Sequence, residues 1–548
     1  MTTAPIARGP DNARSGLQLH ALSLGWIVAA IGAVLALVLA LPGQTVTTKY
    51  VNDLFIFLDG AYRIAEGQVP NVDFHSSLGP LAFYVPALGY WLTGSLGAAM
   101  PVGMGLSTMA LAALGAHVIA TRMRAVTGIP LAIFLLLIAA VPLNPGEGIS
   151  DLSFAMFYNR LGWAGLGLLL VMYLPPLRPQ ARQPVLDALC AMALVLFLLY
   201  MKASYGLVAA AFVLFMLTDR QARIWAAMAL VGAAAAMILI ELLWRGSGTY
   251  LADVQLAAEV SGDLPDLQRL VSIALLNLAD IAVYLVFAVL LLVLRRSFRD
   301  FLFLGFCGAT GILIIEQNFQ IVGILTLAAG AAVVAELLHA HWSSRGLHKG
   351  LHMGLPLLLA IMMLPVGVQN GLGLALHTGL AMSEEGDPIA LPNYESVRLV
   401  KLTNEGQYRN FARYNRSLAD GAAALAALDT SIERVVVFDF VGPFTAGMSL
   451  EPPQGDSPWY HWGRTLDDKV YPPAEDFLVD AKIIMEAKYP IEVWTAGGMR
   501  RVYAPYLDQN FTMVRESEDW RIYVRRPFSS SARPDASSVT RQSTSAQP

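Results

Sequence analysis

Charge and cysteine are what this 548-residue chain has least of: Asp, Glu, Lys and Arg together make up 14% of it, and there are two cysteines. A soluble globule carries about a quarter charged residues. The scarcity of charge, with 56% hydrophobic residues and a mean hydropathy of +0.54, marks an integral membrane protein. Cys190 and Cys307 both fall inside apolar runs, which supports neither a disulfide framework nor a thiolate metal site and leaves them as packing residues. No His-Glu or Cys spacing of the zinc type occurs in the first polar segment, so a divalent metal is not supported and no cofactor is implied. The net charge of -4 is small and gives no reason to expect nucleic acid as a partner.

What is there instead is a series of apolar runs near the ~20 residues that cross hydrocarbon, from Ala21 to about Leu376. The spacing places membrane helices near 21–41, 97–120, 128–143, 156–174, 187–201, 203–218, 224–244, 271–294, 301–316, 319–338 and 351–375, about eleven in all. The first run lacks a cleavage site and reads as a retained helix preceded by a short cytoplasmic tail, 1–20. With the N-terminus in the cytoplasm, "TRMRA", "PPLRPQARQP", "TDRQAR", "RRSFRD" and "HWSSRGLHKG" become inner loops, each with two or more Arg or Lys. That asymmetry is the positive-inside signal, and an odd number of spans then leaves the tail outside the cytoplasm. Two pairs, 187–201 with 203–218 and 301–316 with 319–338, are joined by almost nothing, so each is a tight hairpin or a broken, re-entrant element. Lys202 and "EQN" (Glu316–Asn318) mark those turns.

Past Met382 the pattern changes. "NFARYNRSLADGAAALAAL" (Asn410–Leu428) has helical spacing, "RVVVFDF" (Arg434–Phe440) reads as a buried strand, and "MVRESEDWRIYVRRP" (Met513–Pro527) as a short hairpin. The expected fold class is therefore an α-helical polytopic membrane protein whose membrane domain, 21–380, carries a first extracytoplasmic loop at 42–96. A small extracytoplasmic α/β domain at 381–527 follows, and a Ser-, Thr- and Pro-rich tail, 528–548, is expected to be disordered.

The first polar segment, "VNDLFIFLDGAYRIAEGQVPNVDFHSSLGPLAFYV" (Val51–Val85), crowds five acidic or imidazole side chains just beyond the first span. Its first part has helical spacing up to Gly67, with Leu54, Phe57, Leu58 and Ala61 on one face. Asp53 and Asp59 stand about 240° apart on that helix and cannot act as a pair. Asp59 has Arg63 at i+4, the spacing of a surface ion pair of ~0.3–0.5 kcal/mol, and Glu66 belongs to the same solvated face. Asp53 has no such partner; its structural explanation is an N-cap. Pro70 breaks the helix, a new one starts at Gly79-Pro80, and Asp73 and His75 lie on the loop between as anchors or contacts. Further on, Tyr158, Asn159 and Arg160 open the fourth span, and Lys202 and Glu316 stand at helix ends. Charge at membrane depth is costly unless it faces water or a partner. In this topology Asp53, Asp73, Arg160, Lys202 and Glu316 converge on the outer side, where carboxylates and cations together suit a phosphate and a base.

An outward segment that reads Asp, then a helix ending in "AEGQVP", then "DF" and "GPL" before another apolar helix resembles the first extracytoplasmic loop of GT-C fold glycosyltransferases. That group includes the protein O-mannosyltransferases and the bacterial aminoarabinose transferases of lipid A. The resemblance covers residues 50–90, with looser support from "YNRLGW" and Lys202. It implies a sugar transferase of the inner membrane that uses a polyprenyl-phosphate-linked donor in the surrounding lipid and an extracytoplasmic acceptor, glycan, lipid or protein. The family's acidic base carries over onto Asp53, without the usual acidic doublet, since Leu54 follows. Asp73, His75, Tyr158, Asn159, Arg160, Lys202, Glu316 and Asn318 are the expected substrate contacts, with Arg160 and Lys202 on the lipid phosphate. Two other readings stay open: a transporter or flippase of lipid-linked saccharides, and a non-enzymatic envelope-assembly or sensor protein. The loop Gly442–Arg464, rich in Trp, Tyr, Pro and Gly, suits either stacking on a sugar face or packing over its own domain.

Overall fold

A computed structural model describes residues 10–261, 267–318, 320, 322–345 and 349–527. The expected disordered tail, 528–548, lies outside the described residues. Each of the eleven expected spans contains a helix, and the first begins at Pro10, inside the expected cytoplasmic tail. Eight helices among the described residues are long and apolar enough to cross a membrane: Ser23–Ala40, Leu96–Arg122, Gln183–Met201, Arg223–Trp244, Leu278–Arg295, Phe298–Gln317, Leu325–Ser344 and Gly354–Met382. The other three, Ala125–Ala140, Phe157–Val171 and Ala203–Met216, have 16, 15 and 14 residues. They fall short of the length that spans ~30 Å of hydrocarbon. Phe157–Val171 and Leu325–Ser344 are buried on nearly every face and form the centre of the bundle. Leu239, Leu242, Leu243, Val286 and Val293, on its periphery, are exposed, as lipid-facing side chains are.

Two local features shape the end of the bundle where the site lies. The helices Gln183–Met201 and Ala203–Met216 meet at Lys202, whose extended backbone (φ −162°, ψ 129°) breaks the helical hydrogen bonding. The chain reverses so sharply that a Cβ on Gly206 would lie 2.4 Å from the Leu199 Cα, so this pair is the tight hairpin and Lys202 is its tip. The expected span 271–294 is two helices, Leu267–Leu276 and Leu278–Arg295. Asn277 makes the break by donating to the Ile273 carbonyl at 2.7 Å while its Oδ1 accepts from the Gly323 amide at 2.8 Å. At the opposite end, buried Arg122 pairs with Asp187 at 2.6 Å and Arg124 with Glu336 at 3.0 Å.

The tail is tied to the membrane part by its strands and by its core. Strand Thr45–Thr47, just after the first span, pairs in parallel with Val397–Leu399 in the register Thr45↔Val397. The expected strand and hairpin are present: Val435–Phe438 pairs in parallel with Ile483–Ala487, which runs antiparallel to Trp520–Arg525, itself antiparallel to Phe511–Glu516. Both faces of this sheet are covered, which is why Val435–Phe438 is apolar and buried throughout. One face packs on the helix Glu405–Ala426 through Leu418 and Leu425, the other on Val493–Asn510 through Met499, Tyr503 and Leu507. The first face continues into the core of the membrane part, where Phe55 stacks on Tyr394 with ring centroids 5.2 Å apart.

Candidate active site

The first polar segment folds as two helices, Val51–Ala65 and Leu81–Thr93. Gly79 seats its far end on the Lys202 hairpin: the Gly79 amide donates to the Met201 carbonyl at 3.2 Å, and a Cβ there would lie 2.0 Å from the Tyr200 oxygen. The residue that caps the first helix is Tyr50, left-handed at φ 55°, and Asp53 stands in the first turn without a capping bond. The N-cap explanation of Asp53 thus fails. Among the described residues its carboxylate has one hydrogen-bond partner, Asn52 Nδ2 at 3.2 Å. Burial pushes its pKa up to about 7, with the Arg464 charge acting downward and Glu147 upward.

Asp59 corrects the sequence reading more sharply. It does pair with Arg63, Nε to Oδ2 at 2.6 Å, yet both side chains are only 3% exposed. Arg63 turns its other nitrogens onto Asp456 of the tail, at 2.6 and 2.9 Å, and onto the Pro453 carbonyl. Gln68 adds a bond to the Pro453 carbonyl, and the Asp73 carbonyl accepts from Gly455. What looks like a solvated helix face is a buried clasp between the first loop and the tail. Glu66 alone remains exposed.

A cavity of about 360 Å³ is lined by Tyr50, Asn144, Glu147, Met156, Asn159, Asn318 and Gln320 among others; Asp53 stands three residues on from Tyr50, in the first turn of the helix that Tyr50 caps, and feels the charge of Glu147. Three buried polar atoms with no partner, Asn144 Nδ2, Glu147 Oε2 and Asn159 Oδ1, belong to its wall. Buried polar groups are nearly always satisfied, so three orphans around one void mark a place that a polar ligand completes. Tyr50 and Met156, both left-handed without being glycine, also line it; such backbone strain of ~1–3 kcal/mol gathers at functional sites. Lys202 flanks the same cavity: its Nζ donates to Asn318 Oδ1 at 2.5 Å and sits 5.5 Å from the Tyr158 ring centroid. Lys202 has no carboxylate partner among the described residues. Asn318 in turn donates to Tyr205, whose hydroxyl donates to the Asn159 carbonyl.

Not every expected contact joins this group. Arg160 is fully buried, donating to Asn144 Oδ1 at 2.7 Å and to the Ala155 carbonyl at 3.0 Å. It is bonded to the wall residue Asn144 and is not itself among the residues that line the cavity. Asp73 closes its own loop by accepting from the Val69 amide at 2.7 Å, and the Glu316 carbonyl accepts from Arg269 at 3.1 Å. His75 lies on a separate cleft, paired with Asp253 at 2.9 Å. Missed altogether is Arg464, at the end of the aromatic loop. The turn His461–Leu466, closed by Gly463 (φ 78°), brings it close enough for its charge to act on Asp53 and Lys202. In sequence the loop is marked by its Trp and Tyr, and a single cation at its end carries no signal of its own. Among the described residues, no three His, Cys, Asp or Glu side chains gather closely enough to hold a metal ion.

Fold and site together define a polytopic helical membrane protein with a polar, strained cavity at one end of its bundle, closed over by an α/β tail. No family model matches the chain, and no curated protein matches it. Among solved structures it is similar to ArnT from Cupriavidus metallidurans bound to undecaprenyl phosphate, at 13% identity and a TM-score of 0.44, over 91% of this chain and 98% of that one. ArnT from Cupriavidus metallidurans in the apo state gives 14% identity and a TM-score of 0.40 over the same shares.

Proposed function

We propose that the protein is an inverting membrane glycosyltransferase of the GT-C type, moving a sugar from a polyprenyl-phosphate donor to an extracytoplasmic acceptor at the outer face of the inner membrane. The observation that carries this reading is the cavity with three orphaned polar atoms, whose wall residue Asn318 holds Lys202, a lysine with no carboxylate partner among the described residues, and whose wall residue Glu147 acts on the half-buried Asp53. Polyprenyl phosphates keep their tail in lipid and their sugar at the surface. A second, mostly apolar cleft of about 90 Å³, with Asp280, Gln369 and Asn370 also in its lining, shares Pro145, Gly146 and Val322 with the polar cavity and runs between membrane helices past Phe134, Leu325 and Met362. A lipid tail beside a polar head fits that pairing.

In the reaction, the acceptor hydroxyl oxygen attacks the anomeric carbon as the carbon–phosphate-oxygen bond breaks. The bonding pair leaves with the phosphate and the hydroxyl proton passes to Asp53. A base titrating near 7 is suited to take a proton at neutral pH. Because phosphate is a stable leaving group, no second carboxylic acid is needed, in contrast to glycoside hydrolysis. Lys202 and Arg464 stabilise the charge that grows on it. Purified protein given a radiolabelled polyprenyl-phosphate sugar and a cell-envelope acceptor fraction should form a glycosidic bond that neither component forms alone. Uptake of donor into vesicles without bond formation would replace this reading with transport.

A further inference from the structure

The features of the sequence that the donor site leaves unused meet in a second place. His75 and Ser77 from the first loop, Asp253 from the helix Ser247–Ser261, and Ser457, Trp459 and Thr465 from the aromatic loop line one cleft of about 50 Å³. Three separate parts of the chain build it. Asp253 holds it together, accepting from the His75 ring at 2.9 Å, from the Ser76 amide at 2.9 Å and from Asn71 Nδ2 at 3.1 Å. With Nδ1 engaged there, the imidazole is fixed in orientation while its side chain stays 48% exposed. His75 Nε2, the Ser77 hydroxyl and Trp459 Nε1 have no protein partner among the described residues. Trp459 is half-buried against Phe440 and His461, which fixes its indole plane.

The chemistry of this cleft differs from that of the donor cavity. Its lining has no Lys or Arg and offers hydroxyl, imidazole and indole N–H groups around an aromatic ring, the set that meets a neutral, hydroxyl-rich molecule. Its size, roughly that of two liquid waters, admits a hydroxymethyl arm or a ring edge. The cleft also stands next to the reacting centre. Within the single turn His461–Leu466, Arg464 is near enough for its charge to act on Asp53 while Thr465 and Leu466 form cleft wall. We infer that this cleft binds the edge of a saccharide, with His75, Ser77 and Trp459 as its recognition groups, and that this saccharide is the acceptor, delivered to Asp53 from the opposite side of the turn to the donor. The word acceptor rests on the transferase reading; saccharide binding does not.

The test needs no donor. Saturation-transfer NMR on the full chain in detergent, with methyl α-D-mannopyranoside and N-acetylglucosamine as probes, should show transfer to at least one of them. Trp459→Ala should weaken affinity roughly five- to tenfold, the scale of one lost aromatic contact, and His75→Ala should weaken it too, with His75→Gln intermediate. Trp494→Ala, an exposed tryptophan of the same domain outside the cleft, should leave it unchanged. If Trp459→Ala lowers the melting temperature, Ser77→Ala with His75→Ala carries the comparison. Silence from both probes, or equal signals in wild type and cleft variants, overturns the site. Saccharide binding by a protein that forms no glycosidic bond would sink the transferase reading and leave the cleft standing.

Discussion

Replacing Arg63 with methionine removes the cation that holds the first loop to the tail. The guanidinium donates to Asp59, to both oxygens of Asp456 and to the Pro453 carbonyl, all in a region where the paired side chains are 3–4% exposed. Methionine fills much of the same volume, so the loss is electrostatic: two buried carboxylates are left facing each other without a counter-charge. Removing one partner of a buried pair costs about 3–5 kcal/mol, and with two carboxylates orphaned the upper end is expected. Arg63→Lys keeps the charge but cannot make the fork to Asp456, so it should recover only part. Burial raises both carboxylates above their ordinary pKa. Without Arg63 they therefore take up protons, and the deficit should be smaller at pH 5.5 than at pH 8. Thermal melting in detergent, with hydrogen exchange across residues 450–460, reads both the loss and its place. Melting and exchange unchanged at pH 8 would refute the clasp.

Lys202→Met and Arg464→Gln should each weaken binding of a polyprenyl phosphate about tenfold, the scale of one lost charge-assisted hydrogen bond, without changing binding of the uncharged polyprenol; isothermal titration measures both. Gly79→Ala places a Cβ within 2.0 Å of the Tyr200 oxygen and should destabilise by about 1–3 kcal/mol, read as a lower melting temperature. A topology reporter fused after Pro527 should be active only outside the cytoplasm.

The membrane helices were legible because hydropathy over ~20 residues is a local property, and the Lys202 hairpin because a charge between two apolar runs has few places to go. The tail's strand Val435–Phe438 and its terminal hairpin were legible for the same reason. What escaped depends on partners far along the chain. Asp59 and Arg63 carry the i,i+4 spacing of a surface pair, and only Asp456, 393 positions beyond Arg63, turns it into a buried clasp. Thr45–Thr47 is too short to announce a strand until Val397–Leu399 pairs with it. Arg160 looks like an interfacial cation, yet Asn144 and the Ala155 carbonyl give it reason to stay inside. Arg464 is brought to Asp53 by a glycine turn in a loop whose aromatic composition pointed elsewhere.

Asp53 is the group on which the proposed transfer depends most directly. Asp53→Asn keeps the size of the side chain and removes the proton acceptor. Since burial raises Asp53 from the ordinary carboxylate value of 3.8 to about 7, it costs the folded state stability as pH rises from 3.8 to about 7, and that loss is complete above it. The Asn variant should then be no less stable than wild type at pH 8. The measurement is the single-turnover rate of sugar transfer from polyprenyl phosphate against pH. Wild type should lose activity as pH falls through about 7, and Asp53→Asn should transfer ~10²–10⁴-fold more slowly, as expected for loss of a general base, with donor affinity retained. Transfer at the wild-type rate by a folded Asp53→Asn protein would contradict that dependence.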